Sequence, residues 1–226
     1  MTATHPSAPF PKKSAILLVD DHPILRAGFA QLINHEADLR VCGQAENASQ
    51  ALGLLESCEP DLAIVDVSLQ GADGIELIKD IKARFPAVGV LVLSMYDERV
   101  YAERAFRAGA GGYVMKQAPT DDVMEAIRRV LKGRKYFSEE IQAYMFEKLR
   151  SGGLPSASDV ACLTDREMEV FVSIGKGLKT REIAAAMRVS VKTVDSYRAH
   201  LKEKLGLKSG VELMRRAVEW VNRNVR

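Results

Sequence analysis

The sequence is short of cysteine, of long apolar runs and of glycine-rich phosphate loops. Its three cysteines, Cys42, Cys58 and Cys162, are odd in number, and none stands in a C-x-x-C or Cys/His ligand spacing. Neither a disulfide framework nor a zinc site is indicated, and the expected compartment is the reducing cytoplasm. No apolar run reaches the ~18 residues that a spanning helix needs, so no membrane partner is expected. The stretch from Met1 to Ser14 carries three prolines and no apolar segment. It reads as a short disordered tail over residues 1–13 and not as a secretion signal. No G-x-x-x-x-G-K-[ST] motif occurs, which removes one large class of nucleotide enzymes.

What is present is the composition of a folded chain: 226 residues, 47% hydrophobic and 27% charged, with a mean hydropathy of -0.09. Wholesale disorder and collagen-like repeats are excluded, and the length allows one large domain or two small ones. The net charge of +2 hides a split. Residues 1–132 hold 14 basic and 18 acidic side chains, a balance of -4, whereas residues 159–226 hold 14 basic and 9 acidic, a balance of +5. A basic C-terminal third suits a polyanion partner, and it equally suits a solvated Lys/Arg-rich helical surface. Charge alone leaves both readings open.

Five short apolar runs recur at regular intervals: Ala15 to Val19, Leu39 to Gly43, Leu62 to Val65, Val88 to Leu93 and Gly112 to Met115. Each has strand length and strand composition. Between them lie segments of helical periodicity, such as Ile24, Leu25, Phe29, Leu32 and Ile33, then Ile75, Leu77, Ile78 and Ile81, then Val123, Ile127, Val130 and Leu131. Continuous apolar strands alternating with amphipathic helices require a parallel sheet covered on both faces, so residues 14–132 are expected to form a doubly wound five-stranded α/β domain. After Lys132 the strand signals stop. Residues 133–158 read as a linker with one helix over Ser138 to Leu149, ending in the turn-rich Ser151 to Ser156. Residues 159–226 then carry four helical segments, the first opened by the capping box Thr164-Asp165-Arg166-Glu167 and closed by Gly175 and Gly177.

Polar residues stand where the apolar runs end, which is where open α/β sheets bind their ligands. Asp20 and Asp21 follow the first run, Asp66 the third, Ser94 the fourth and Lys116 the fifth. Three converging carboxylates repel one another unless a cation shares the site, and all-oxygen ligation suits Mg²⁺. Asp66 is then placed to act as a nucleophile toward phosphorus, because phosphoryl transfer needs an acceptor, a divalent cation, a hydroxyl and an ammonium. Any one of these aspartates alone is explained as a helix cap; five matched positions are not.

Residues 14–132 resemble the receiver domain of two-component response regulators. The matches are Leu18-Val19-Asp20-Asp21-His22, Asp61 to Asp66, Gly71-Ala72-Asp73-Gly74-Ile75-Glu76, Leu93-Ser94 and Gly111 to Lys116. The resemblance implies a flavodoxin-like fold with Asp66 as phosphoacceptor. It implies Mg²⁺ held by Asp20, Asp21, Asp66 and the backbone carbonyl of Ser68, with Lys116 pairing with the phosphate. It also implies a Ser94 hydroxyl on the phosphoryl oxygen and Tyr113 as an aromatic that changes rotamer with it. Leu69-Gln70 departs from the Met-Pro or Leu-Pro pair common after the acceptor.

In the basic third, Thr180 to Leu205 reads as two helices joined at Arg188-Val189-Ser190, a spacing consistent with a helix-turn-helix. Val194, Tyr197, Leu201 and Leu205 mark the core face of the longer helix. The other face carries Lys192, Asp195, Ser196, Ala199 and Lys202, with Thr193 and Arg198 beside it. Small and polar groups of this kind enter a major groove, with Asp195 able to accept from a cytosine amino group and Lys192, Arg198 and Lys202 able to neutralise phosphates. Leu163 to Glu167, Thr180 to Ala184, Val189 to Val194 and Lys204 to Ser209 resemble the LuxR-type helix-turn-helix, and nearly the whole chain is similar to response regulators of the NarL/FixJ family. That resemblance implies a scaffold helix over Thr180 to Met187, a recognition helix over Val191 to Leu205, a histidine kinase as phosphodonor and dimeric binding to double-stranded DNA. The last helix bears a stripe of Val211, Met214, Val218 and Val221, readable as a dimer surface or as core packing.

Two enzyme readings compete with that of a regulator without catalytic turnover. A Mg²⁺-dependent phosphohydrolase of the haloacid-dehalogenase type carries a second Asp two residues after its nucleophile, where this chain has Ser68. A dinucleotide enzyme needs G-x-G-x-x-G in the first strand-to-helix turn, which here reads Asp20-Asp21-His22-Pro23.

Overall fold

The computed structural model describes residues 13–69, 74–150, 160, 162–187 and 189–224. The tail over 1–12, the Gly71-Ala72-Asp73 match, Gln70, the Ser151 to Ser156 turn segment and Arg188 lie outside the described residues. Five strands, β1 (Ser14–Val19), β2 (Leu39–Ala45), β3 (Leu62–Val65), β4 (Gly89–Ser94) and β5 (Gly112–Met115), form one sheet in the order β2-β1-β3-β4-β5. All four pairings are parallel. The crossovers are α1 (Pro23–His35), α2 (Ala48–Cys58), α3 (Gly74–Arg84) and α4 (Glu98–Ala108), and α5 (Thr120–Leu131) follows β5.

Alternation along the strands divides the core in two. Ile16, Leu18, Ile64, Leu91, Leu93 and Val114 pack with α1 and α5. Leu17, Val19, Ala63, Val65, Val90 and Val92 point the other way, against α2, α3 and α4. The helix patterns hold unevenly. Ile75, Leu77, Ile78 and Ile81 of α3 are all buried, but in α1 only Ile33 of the expected stripe is. Ile24, Leu25 and Leu32 are exposed, because α1 lies over β1 and β2 at the edge of the sheet and buries only Ala30 and Ile33 against it.

Beyond α5 the chain returns to the sheet edge, where Tyr136 bridges Gly112, and enters α6 (Glu139–Arg150). Phe137 and Ile141 are buried, and Phe137 meets Phe106 of α4 edge-on with centroids 5.7 Å apart. Four more helices form the C-terminal domain: α7 (Asp165–Gly175), α8 (Thr180–Ala186), α9 (Val191–Lys204) and α10 (Gly210–Asn224). Thr164 caps α7 and Glu167 returns the bond to the Thr164 amide, completing the capping box. Left-handed glycines follow two of these helices, Gly177 after α7 at φ 84° and Gly206 after α9 at φ 65°.

The stripe on α10 divides. Val211 and Met214 are exposed, Val218 is half-buried, and Val221 turns inward onto α7 beside Leu213, Ala217 and Trp220. At Gly175 the backbones of α7 and α10 leave no room for a side chain: a Cβ there would stand 2.6 Å from the Ala217 carbonyl oxygen and 2.5 Å from a Val221 methyl. Gly175→Ala therefore forces the two helices apart. Overpacking of this kind costs about 1–3 kcal/mol, so the variant should melt several degrees below wild type by the fluorescence of Trp220, the single tryptophan. An unchanged midpoint would show that this crossing tolerates a methyl group.

Candidate functional site

The strand order decides where the chemistry sits. β1 lies between β2 and β3, and the helices leaving β1 and β3 pass to opposite faces of the sheet. A crevice opens beyond the carboxyl ends of those two strands. One residue past each strand the backbone is still held by the ladder: the Asp20 amide donates to Ala45 O at 3.0 Å and the Asp66 amide to Val19 O at 2.9 Å. The Lys116 amide donates to Ser94 O at 2.8 Å in the same way.

The sheet thus brings together residues up to 96 positions apart in sequence. Asp20, Asp66 and Ser94 are buried, and the Lys116 side chain is 1% exposed. Lys116 Nζ stands 2.6 Å from Asp20 Oδ2 and 2.7 Å from Asp66 Oδ2, so one ammonium bridges two carboxylates. Asp66 also accepts from Ser68 twice, through the hydroxyl at 2.8 Å and the amide at 3.1 Å. His22 completes the cluster: its amide donates to Asp20 Oδ1 at 2.8 Å and its Nδ1 lies 2.8 Å from Asp21 Oδ1. The Arg26 guanidinium donates to the Asp20 carbonyl.

One ligand atom from each of Asp20, Asp21, His22 and Asp66 lies within 4.8 Å of all the others. Asp21 Oδ1 is buried and accepts no hydrogen bond, although His22 Nδ1 stands 2.8 Å away. A buried carboxylate oxygen without a donor is costly unless a cation meets it. Hard oxygen donors fit a divalent ion of the Mg²⁺ kind.

Ser94 and Tyr113 lead away from this cluster. Ser94 Oγ accepts from the Tyr96 amide at 3.2 Å, and Tyr113 Oη donates to the Tyr96 carbonyl at 2.8 Å. Tyr113 is 2% exposed, and burial pushes its phenol well above the ordinary value against a hydrogen bond with Ser94. The Tyr96 ring stacks on Tyr101 with centroids 4.8 Å apart. Burial, together with the neighbouring Glu169 carboxylate that its hydroxyl hydrogen-bonds, raises the Tyr96 phenol as well. Tyr101 Oη donates to the Asp165 carbonyl at 3.4 Å. A contiguous aromatic chain therefore runs from Ser94 to the start of α7.

The C-terminal domain docks on the crevice rim through that same turn. Arg166 Nη2 donates to the carbonyls of Ser68 at 2.9 Å and Leu69 at 3.1 Å, while its Nη1 pairs with Glu169 at 2.9 Å. Asp165 Oδ2 accepts from the Ile75 amide at the start of α3 at 3.2 Å, and Asp165 Oδ1 faces Arg104 at 3.0 Å. Sequence reasoning gave no site role to His22, Tyr96, Tyr101 or Arg104, and it read Asp165 and Arg166 as capping-box positions and as part of the LuxR-type match, not as docking residues.

α8 and α9 form the helix-turn-helix pair. Val194 and Leu201 are buried and Tyr197 and Leu205 half-buried, as the core face requires. Lys192, Asp195, Ser196 and Ala199 are exposed, and Arg198 and Lys202 half-exposed, on a surface the α/β domain leaves open. The Thr193 hydroxyl is 2.8 Å from that of Ser190, the N-cap of α9, so part of its polarity is used within the helix.

Residues 16–128 match the family model of the response regulator receiver domain, and residues 161–217 match that of the bacterial regulatory proteins of the luxR family. The chain is thus a two-component response regulator, with a receiver domain and a LuxR-type helix-turn-helix, and it belongs to the NarL/FixJ family. It is 34% identical over 212 residues to the oxygen regulatory protein NreC of Staphylococcus aureus strain JH9, spanning 90% of this chain and 96% of that protein. A LuxR-family two-component response regulator from Aurantimonas sp. SI85-9A1 aligns at a TM-score of 0.56 and 34% identity, over 62% of this chain and 99% of that one. RcsB of Salmonella enterica serovar Typhimurium, solved on promoter rprA with the phosphomimetic BeF3-, aligns at a TM-score of 0.56 and 27% identity, over 90% and 98%. Among the described residues no helix is long and apolar enough to cross a membrane.

Lys116→Met leaves two buried carboxylates facing each other with no ammonium between them. Breaking a buried pair costs about 3–5 kcal/mol, so the metal-free variant should melt far below wild type by circular dichroism, with MgCl2 restoring much of the loss. Equal midpoints in metal-free buffer would contradict this electrostatic account of the crevice.

Proposed function

We propose that this protein is a phosphorylation-controlled transcriptional regulator in which Asp66 takes a phosphoryl group from a histidine kinase and the C-terminal helix-turn-helix binds promoter DNA. The observation that carries the reading is the convergence of Asp20, Asp21, Asp66, Ser94 and Lys116 in one crevice, in a chain whose α9 presents Lys192, Asp195, Ser196 and Ala199 to solvent. The proposal divides the chain into a receiver over residues 14–132, a linker over 133–158 and a DNA-binding domain over 159–226, working in the cytoplasm without a turnover reaction of its own.

Asp20, Asp21, Asp66 and the Ser68 carbonyl would hold Mg²⁺, which when bound supplies positive charge toward the phosphoryl oxygens. A carboxylate oxygen of Asp66 forms the new O–P bond as the P–N bond to the kinase histidine breaks. Lys116 already neutralises Asp66 and remains within reach of the added charge. Ser94 donates its hydroxyl to a phosphoryl oxygen, and in turning toward it gives up the hydrogen bond that it accepts from the Tyr96 amide. The Tyr113–Tyr96–Tyr101 chain then transmits that loss to the α7 contacts and favours a state in which the domains separate. On DNA, Asp195, Ser196 and Ala199 face base edges, while Thr193, Lys192, Arg198 and Lys202 meet the backbone. Exposed Val211 and Met214 on α10 support pairing with a second copy, so that two α9 helices reach half-sites about one DNA turn apart.

Two measurements test this reading. Incubation with acetyl phosphate and MgCl2 should add one phosphoryl mass to the wild type and none to Asp66→Asn; an adduct on the variant places the acceptor elsewhere. Lys192→Ala should weaken binding to every DNA sequence alike and reduce the slope of log K against log salt by about 1. An unchanged slope removes Lys192 from the phosphate backbone.

A further inference from the structure

The contact between Arg166 and the Ser68 carbonyl joins two parts of the molecule with different tasks. Arg166 is the second residue of α7 and lies 98 positions from Ser68. Its guanidinium is held on three sides, by the Ser68 carbonyl at 2.9 Å, the Leu69 carbonyl at 3.1 Å and the Glu169 carboxylate at 2.9 Å. The turn around it is fastened to the receiver independently. Arg104 donates to the Leu163 carbonyl at 2.6 Å and pairs with Asp165, and Asp165 receives the Ile75 amide. The cation is therefore positioned by a docked domain and does not wander on a surface side chain.

Ser68 is two residues beyond Asp66, and its carbonyl oxygen is the one the proposed function gives to Mg²⁺. A second positive charge bonded to the same oxygen is repelled at close range, and a carbonyl already polarised toward a guanidinium is a poorer metal ligand. We infer that Arg166 is a tethered competitor for the divalent cation: metal binding in the acidic crevice and docking of the C-terminal domain oppose each other before any phosphoryl transfer. Because linkage is reciprocal, whatever factor docking takes from metal affinity, metal takes from docking. Divalent cation then loosens the domain interface by itself, and the arrival of the phosphoryl group acts on an interface already weakened.

The inference rests on the reading of the crevice as a metal site, and the test separates the two. MgCl2 is titrated calorimetrically into full-length wild type, Arg166→Gln, Arg104→Ala and Asp20→Asn, and small-angle scattering is recorded on each with and without MgCl2. Arg166→Gln keeps a donor and removes the charge, whereas Arg104→Ala undoes docking from the receiver side without touching the carbonyl. Both should bind Mg²⁺ at least about 5-fold more tightly than wild type, the lower end of ordinary coupling. Wild type should expand on adding MgCl2 without any phosphodonor, and Asp20→Asn should not respond. Equal Mg²⁺ affinity in wild type and both variants, with binding lost in Asp20→Asn, overturns the competition while leaving the metal site standing. No Mg²⁺ binding by any of the four proteins overturns the metal reading itself, and the competition with it.

Discussion

Two buried carboxylates that share one ammonium are the constraint on which the rest of the structure depends. Asp20 and Asp66 are brought side by side by adjacent parallel strands, and Lys116 stands within 2.7 Å of both. Desolvated like charges at such range are tolerable only with a positive partner, and the ammonium supplies one while leaving Asp21 Oδ1 without a hydrogen-bond donor. Asp20, Asp21 and Asp66 bring three negative charges to one ammonium, so the crevice holds an excess of negative charge that a divalent cation offsets and one more anion increases. That is the electrical condition a phosphorylation site needs: a new dianionic group has somewhere to be met and something to displace.

What can be displaced is visible in the same geometry. The crevice is bordered by Ser94 and Tyr113 on one side and by the Ser68 and Leu69 carbonyls on the other, and both borders lead to α7. The first runs through Tyr96 and Tyr101 to Asp165, and the second is held directly by Arg166. The receiver does not cover the face of α9 that carries Lys192, Asp195, Ser196 and Ala199. Docking uses the start of α7, so control through this interface acts on the placement of the C-terminal domain, and hence on how two copies come together, while the reading surface stays open.

Much of this was legible in the sequence, for a physical reason. A parallel sheet is buried on both faces, so its strands are unbroken apolar runs, and the polar residue ending each run marks the ligand edge. β3 and β5 have the expected bounds. β2 continues two residues beyond the expected Gly43, because after an irregularity between Ile16 and Leu17 the pairs Leu18 with Gln44 and Val19 with Ala45 remain bonded. The capping box at Thr164 was equally plain, since its chemistry is local. Periodicity misled where neighbours decide burial: the apolar stripe of α1 is mostly exposed, and that of α10 is divided between solvent and α7. No local pattern marks Arg166 or Tyr96 as a link between the domains, because the contacts that make the link, Arg166 to Ser68 and Tyr96 to Glu169, join residues more than 70 positions apart. His22 was in view beside the aspartates, and its place in the cluster follows from a turn geometry that spacing does not show.

The proposed switch couples the acidic crevice thermodynamically to the C-terminal helix-turn-helix. Its most direct test is the affinity of the full chain for one DNA fragment at fixed salt, with MgCl2 throughout, with and without BeF3-. The coupling predicts tighter binding with BeF3-, by about 5- to 150-fold. Identical affinities in the two conditions would contradict it, leaving two domains on one chain that do not communicate.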